Sequence, residues 1–109
     1  MAETYKVLAQ ANPDAGTLTT LYTVPSGTAV VVSTLVVCNQ SAFTITYRVA
    51  VAVAAATDTA KQYLVYDASL KANSSDTLTF GVSMAATDVM RVYAGNGSVS
   101  FNLFGVEVT

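Results

Sequence analysis

The chain has 109 residues, 52% of them hydrophobic and 11% charged, enough for one layered core and too few for a second domain. Its net charge is −2, and Lys6, Arg48, Lys61, Lys71 and Arg91 are scattered, which excludes the basic stripe of a nucleic-acid binder. Soluble domains carry about one quarter charged residues; here Thr, Ser, Ala and Val fill the deficit and leave a surface easily desolvated against another protein.

In chain order, the first strand pattern is TYKVLAQ (4–10), so residues 1–12 read as an N-terminal arm or an edge strand. Asn12-Pro13-Asp14-Ala15-Gly16 makes a turn before LTTLYTV (18–24), and Pro25-Ser26-Gly27 makes the next. TAVVVSTLVVCN (28–39) follows, without a charge and apolar on both alternating faces. Under regular alternation Val30, Val32, Val36 and Cys38 point one way, and Val31, Leu35 and Val37 the other. A strand of a small protein needs only one greasy face, so something must cover the second.

FTITYRVAVAV (43–53) alternates cleanly, with Phe43, Ile45, Tyr47, Val49, Val51 and Val53 on one face. Segment 56–63 is short, runs into a strand pattern and reads as loop. KQYLVYD (61–67), DTLTFGV (76–82), DVMRVYA (88–94) and SVSFNLFGVEV (98–108) complete eight strand patterns. Asn96-Gly97 reads as a hairpin turn between the last two. In the final strand Val99, Phe101 and Leu103 share one face and Phe104, Val106 and Val108 the other, with Gly105 beside the change. That reads as a strand bending from one sheet edge to the other. Eight strands at this spacing predict a single all-β domain over 1–109, an antiparallel β-sandwich of jelly-roll type.

The chain has no histidine and one cysteine. The commonest general base and metal ligand is thereby absent, no intrachain disulfide is available, and Cys38 reads as a small buried hydrophobe. Asp14, Asp58, Asp67, Asp76 and Asp88 fall at turns or strand ends, where backbone chemistry accounts for them. Tyr5, Tyr22, Tyr47, Tyr63, Tyr66 and Tyr93 are spread over separate strands and read as core and edge packing. No cofactor, metal site, phosphate loop, Sec-type signal or bilayer-spanning run is expected. The chain reads as a non-enzymatic protein whose product is a surface.

The stretches TTLYTVPSGTAVVVSTLVVCN, YRVAV, YLVYD and DVMRVYAGNGSVSFNLFGVEVT resemble small structural proteins of tailed bacteriophages, most of all the jelly-roll decoration (cement) proteins of the capsid. Residues 82–108 also resemble the last strands of trimeric complement- and tumour-necrosis-factor-type jelly rolls, with Thr87 where that pattern has glycine before Asp88. The resemblance implies a virion protein made in the host cytoplasm, self-associating as a trimer and bound outside the major capsid protein lattice. Its alternative is a receptor- or glycan-binding module of the tail or baseplate. If 28–39 and 43–53 form a hairpin, their outer faces join into one nearly uncharged surface. Val31, Leu35, Val37, Thr44, Thr46, Arg48, Ala50 and Ala52 are then the expected subunit or capsid interface.

Overall fold

The computed structural model describes residues 2–109, the side chain of Phe80 excepted; Met1, counted in the expected arm 1–12, lies outside them. The strands are β1 (Glu3–Ala11), β2 (Thr19–Thr23), β3 (Ala29–Asn39), β4 (Ile45–Ala52), β5 (Tyr63–Leu70), β6 (Ser74–Met84), β7 (Val89–Ala94) and β8 (Val99–Val108). Each lies on one of the eight expected runs. Between β4 and β5 the loop carries two short 3-10 turns, Val53–Ala55 and Ala60–Gln62.

Two four-stranded antiparallel sheets result, sheet A in the order β1-β8-β3-β6 and sheet B in the order β2-β7-β4-β5. The first strand pairs with the last, the second with the seventh, the third with the sixth, and the fourth with the fifth. The chain is therefore one long folded-over ribbon, rolled up so that β3 meets β8 and β4 meets β7. This is an antiparallel β-sandwich with the jelly-roll strand order.

Only β4 and β5 are consecutive strands that lie side by side; every other connection crosses between sheets. Two expectations fail on this point. The Asn96-Gly97 turn carries the chain from β7 in sheet B to β8 in sheet A and makes no paired hairpin, although Ser98 donates its N–H to Asn96 Oδ1 at 2.8 Å, tightening the turn. Nor do β3 and β4 pair, because β3 lies in sheet A and β4 in sheet B. Short turns between apolar runs serve crossings as well as hairpins, and sequence alone does not separate the two.

The doubly apolar run at 28–39 owes its pattern to a β-bulge. The register with β8 slips between Val32 and Thr34, leaving Ser33 as an extra residue. An extra residue reverses the side to which later side chains point. Val30 and Val32 face the core before the slip, and Leu35, Val37 and Asn39 face it afterwards, all of them buried. The strand is core-facing along its whole length, and its second greasy face belongs largely to the same core. Cys38, expected buried, is for the same reason half-buried on the outer side, opposite Ser75 and Ser100.

Beside Ser33, β1 also bulges, with Leu8 as its extra residue against β8. Gly105 lies between the two bulges, opposite Val32 and Lys6. A β-carbon there would overlap the Val31 carbonyl oxygen and would lie 3.0 Å from Leu8 Cδ1 and 3.1 Å from Val32 Cα. Strand β8 itself alternates without interruption: Val99, Phe101, Leu103 and Gly105 point inward, and Phe104, Val106 and Val108 outward. The expected bend at Gly105 is thus absent, and the glycine serves close approach of its neighbours.

The core joins Val30, Val32, Leu35 and Val37 of β3 to Tyr47, Val49, Met90, Val92, Phe101 and Leu103. Tyr47 and Phe101 meet edge to face at 6.4 Å, a favourable aromatic arrangement. One end is closed by Asn39, whose buried Nδ2 donates to the carbonyls of Phe43, Leu70 and Lys71, while its Oδ1 accepts from Ser41 N–H and Oγ–H. This amide satisfies polar groups that the crossing chain would otherwise leave buried and unpaired. Thr87, at the position where the trimeric jelly-roll pattern has glycine, has φ 71°; the left-handed turn is kept without the residue that adopts it most readily.

Two phenols clasp the sheets together. Tyr47 of sheet B donates to Asp76 Oδ2 of sheet A at 2.8 Å, and Tyr22 of sheet B donates to Glu107 Oε2 of sheet A at 2.6 Å. Lys6 reaches the other oxygen of Glu107 at 3.1 Å. Burial first, and then the bond to a carboxylate, pushes both phenols well above their ordinary value of 10.0. In the unfolded chain they ionise near that value. Their contribution is therefore complete below pH 10 and is lost as pH rises beyond it toward the folded values. Melting followed by circular dichroism is expected to show a falling Tm above about pH 10, with a shallower fall in Tyr47→Phe; a pH-independent Tm from 8 to 11.5 would contradict the clasp.

Candidate functional site

The expected interface residues do not form one surface. Leu35 and Val37 are fully buried between the sheets, since the bulge at Ser33 turns them inward. Val31 remains outside on sheet A, 45% exposed. Thr46 and Arg48 lie on the outside of sheet B, and Thr44 is exposed just ahead of β4. Ala50 and Ala52 pair with Arg91 and Val89 on that same outer side, yet both are fully buried. The 53–62 segment folds back beside them: Arg91 Nη1 donates to Ala56 O at 2.9 Å, and Ala54 N–H donates to Asp88 Oδ1 at 2.9 Å. The chain covers this stretch itself. The proposed joint surface is thus divided among the core and two opposed faces, because the β3–β4 connection crosses the sandwich.

Each outer face carries its own cluster. On sheet A the register aligns Tyr5 with Val106 and Val31, and Val7 with Phe104. Tyr5 is 76% exposed and Val7 and Phe104 are, respectively, exposed and half-buried. With Val108 these residues make an apolar patch across β1, β8 and β3. Farther along the same face the side chains turn polar, with Gln10 donating to Asn102 Oδ1 at 2.6 Å. The outward apolar residues of β8 are legible in the sequence as Phe104, Val106 and Val108. Their partners on β1 and β3 are not, since those depend on the roll-up.

On sheet B, Arg48 lies between two tyrosine rings, its guanidinium carbon 4.2 Å from the Tyr66 centroid and 4.4 Å from that of Tyr93. Its Nε and Nη2 donate to the two carboxylate oxygens of Asp67 at 2.6 and 3.2 Å. That bidentate bond is the main reason the guanidinium stays charged beyond its ordinary range. Tyr63 meets Tyr66 edge to face at 5.0 Å and donates its hydroxyl to Asp58 Oδ2 at 3.0 Å. Partial burial and then this bond raise the Tyr63 pKa.

The tyrosines were expected to pack separately, and the structure corrects this for three of them. Tyr63 and Tyr66 are three residues apart, a spacing that puts them on opposite faces of a regular strand. Two register slips against β4, between Tyr47 and Val49 and between Val49 and Ala50, undo the alternation. Asp67, at φ 53°, completes the irregularity. The slips bring Tyr63, Tyr66 and Asp67 to the side of Arg48.

The described residues contain no cluster of three or more Asp, Glu or Cys side chains arranged to hold a metal ion. No described helix is long and apolar enough to cross a membrane. Asp88 is engaged with backbone, accepting from Ala54 N–H and Ala85 N–H.

No protein-family model matches the chain, and no curated protein matches it. Among solved structures it is similar to a pentameric capsid protein isolated from metagenomic phage sequences, at 16% identity and a TM-score of 0.35. The match covers 95% of this chain and 64% of that one; the chain spans just under two thirds of its neighbour's length.

Proposed function

We propose that the protein is a non-enzymatic structural component of a phage virion, a decoration protein that self-associates and stabilises the head from outside the major capsid protein lattice. The observation that carries this reading is the apolar patch on the outer face of sheet A, where Tyr5, Val7 and Val31 are exposed beside the half-buried Phe104 and Val106. Left in water such a patch invites aggregation, and on a protein built to assemble it is where copies meet. The sequence resemblance implies a trimer, and the patch on sheet A is the face that three copies would cover for one another. At roughly 25 cal/mol per Å², burying about 400 Å² of apolar surface is worth on the order of 10 kcal/mol before association costs of similar size. One contact is therefore modest, and repetition over a lattice supplies the rest.

The test uses particles prepared without the protein. Heads are expected to form in its absence and to release DNA at a lower temperature, and adding the protein back restores the wild-type release temperature, since binding to the assembled shell stabilises it by mass action. With so few ions to screen, restoration is expected at low and high salt alike. Particles that keep their heat stability but lose host adsorption would overturn the decoration role and assign the protein to the tail or baseplate.

A further inference from the structure

We infer that the outer face of sheet B holds a binding pocket for a neutral saccharide, walled by Arg48, Tyr63 and Tyr66 on the sheet and by Asp58, Thr59 and Ala60 of the loop before β5. These six residues line a cavity of about 560 Å³, within the usual range for small-ligand sites. It lies on the side of the sandwich opposite the apolar patch and takes no part in the interface proposed above.

Three observations point to a ligand and to its class. The side chains are held in place before any ligand arrives. Arg48 is fixed by Asp67 and by two rings, and Tyr63 by Asp58 and Tyr66. Such an arrangement lowers the ordering cost of binding. Tyr66 is nevertheless 61% exposed, so a large aromatic surface stays in water within an otherwise ordered cluster. Apolar sheet packing does not account for that exposure, whereas the C–H face of a sugar ring would cover it.

Charge decides between ligand classes. Arg48 and Asp67 neutralise each other at 2.6 Å, and Asp58 adds a negative charge at the pocket wall. Phosphates, sulfates and carboxylated sugars are therefore disfavoured. What the walls do offer is a mixture of acceptors and donors: the Asp58 carboxylate, the Thr59 and tyrosine hydroxyls, and Arg48 Nη1, which makes no bond among the described residues. Mixed donors and acceptors flanking an aromatic surface suit the hydroxyls and the apolar face of a neutral sugar.

The experiment is a nuclear magnetic resonance titration of the full, isotope-labelled protein with three probes: the trisaccharides of glucose, galactose and N-acetylglucosamine. At least one is expected to bind saturably, with a dissociation constant on the order of 1 mM as befits an open pocket with few contacts. Shifts should be confined to Arg48, residues 58–67 and Tyr93. Tyr66→Ala should weaken binding at least about tenfold, Asp58→Asn should weaken it as well, and Tyr5→Ala on the opposite sheet should leave it unchanged. Amide spectra of each variant show directly that it is folded. The inference is overturned if none of the three sugars binds or if Tyr66→Ala binds as the wild type does. Because the variants differ in face, loss of sugar binding with assembly intact separates this pocket from the self-association surface.

Discussion

Gly105→Ala is expected to lower stability by about 2–4 kcal/mol, because among the glycines it is the one where an added β-carbon is overlapped by backbone. The added carbon would meet the Val31 carbonyl oxygen, Val32 Cα and Leu8 Cδ1. Two of those three atoms are backbone, so the overlap cannot be relieved by a rotamer change. Relief would require β3 to move away from β8, and the ladder between them runs from Ala29–Val108 to Asn39–Val99. For a domain of about this size the change corresponds to a Tm lower by roughly 10–25 °C. Gly97→Ala is the control: a β-carbon there meets no atom within 4 Å, and its Tm should stay close to that of the wild type. A Gly105→Ala variant that melts like Gly97→Ala would show that the two bulges do not press on β8.

Val31→Asp is expected to abolish self-association while leaving the fold in place. Val31 is 45% exposed in the single chain, so a carboxylate there stays hydrated and costs the monomer little. Its neighbours across the strands are Val106 and Ser83, and none supplies a compensating cation. Buried against another copy, the unpaired charge costs about 3–5 kcal/mol, a loss of association of roughly two to nearly four orders of magnitude. Sedimentation at micromolar concentration should show a trimer for the wild type and a monomer with unchanged β-type circular dichroism for the variant. A wild-type monomer would overturn self-association, and a variant that still associates would place the interface on another face.

Much of the architecture was legible because hydrophobic alternation and turn chemistry are local. The eight runs and the turns between them follow from neighbours in sequence, as does the inward set of Ile45, Tyr47 and Val49; Phe43 and Val53, expected on that same face, lie beyond the ends of β4 and are exposed. The absence of histidine and the thin charge are likewise plain in the sequence itself.

The surfaces themselves were decided at the tertiary level, for two physical reasons. Side chains on a strand have period two, so one extra residue exchanges inside for outside. Whether an extra residue is accommodated depends on the strand alongside, as Gly105 leaves room for the bulges at Leu8 and Ser33. That is why Leu35 and Val37 face the core, and why Tyr63 and Tyr66 reach the same side of β5. Topology supplies the second reason. A short connection between apolar runs looks the same whether it joins neighbours or crosses the sandwich, and only the rolled-up pairing of the first strand with the last brings Tyr5 beside Val106 and Val31. Sequence alone determined that this protein is a β-sandwich; the packing of its strands determined which residues its two outer faces hold.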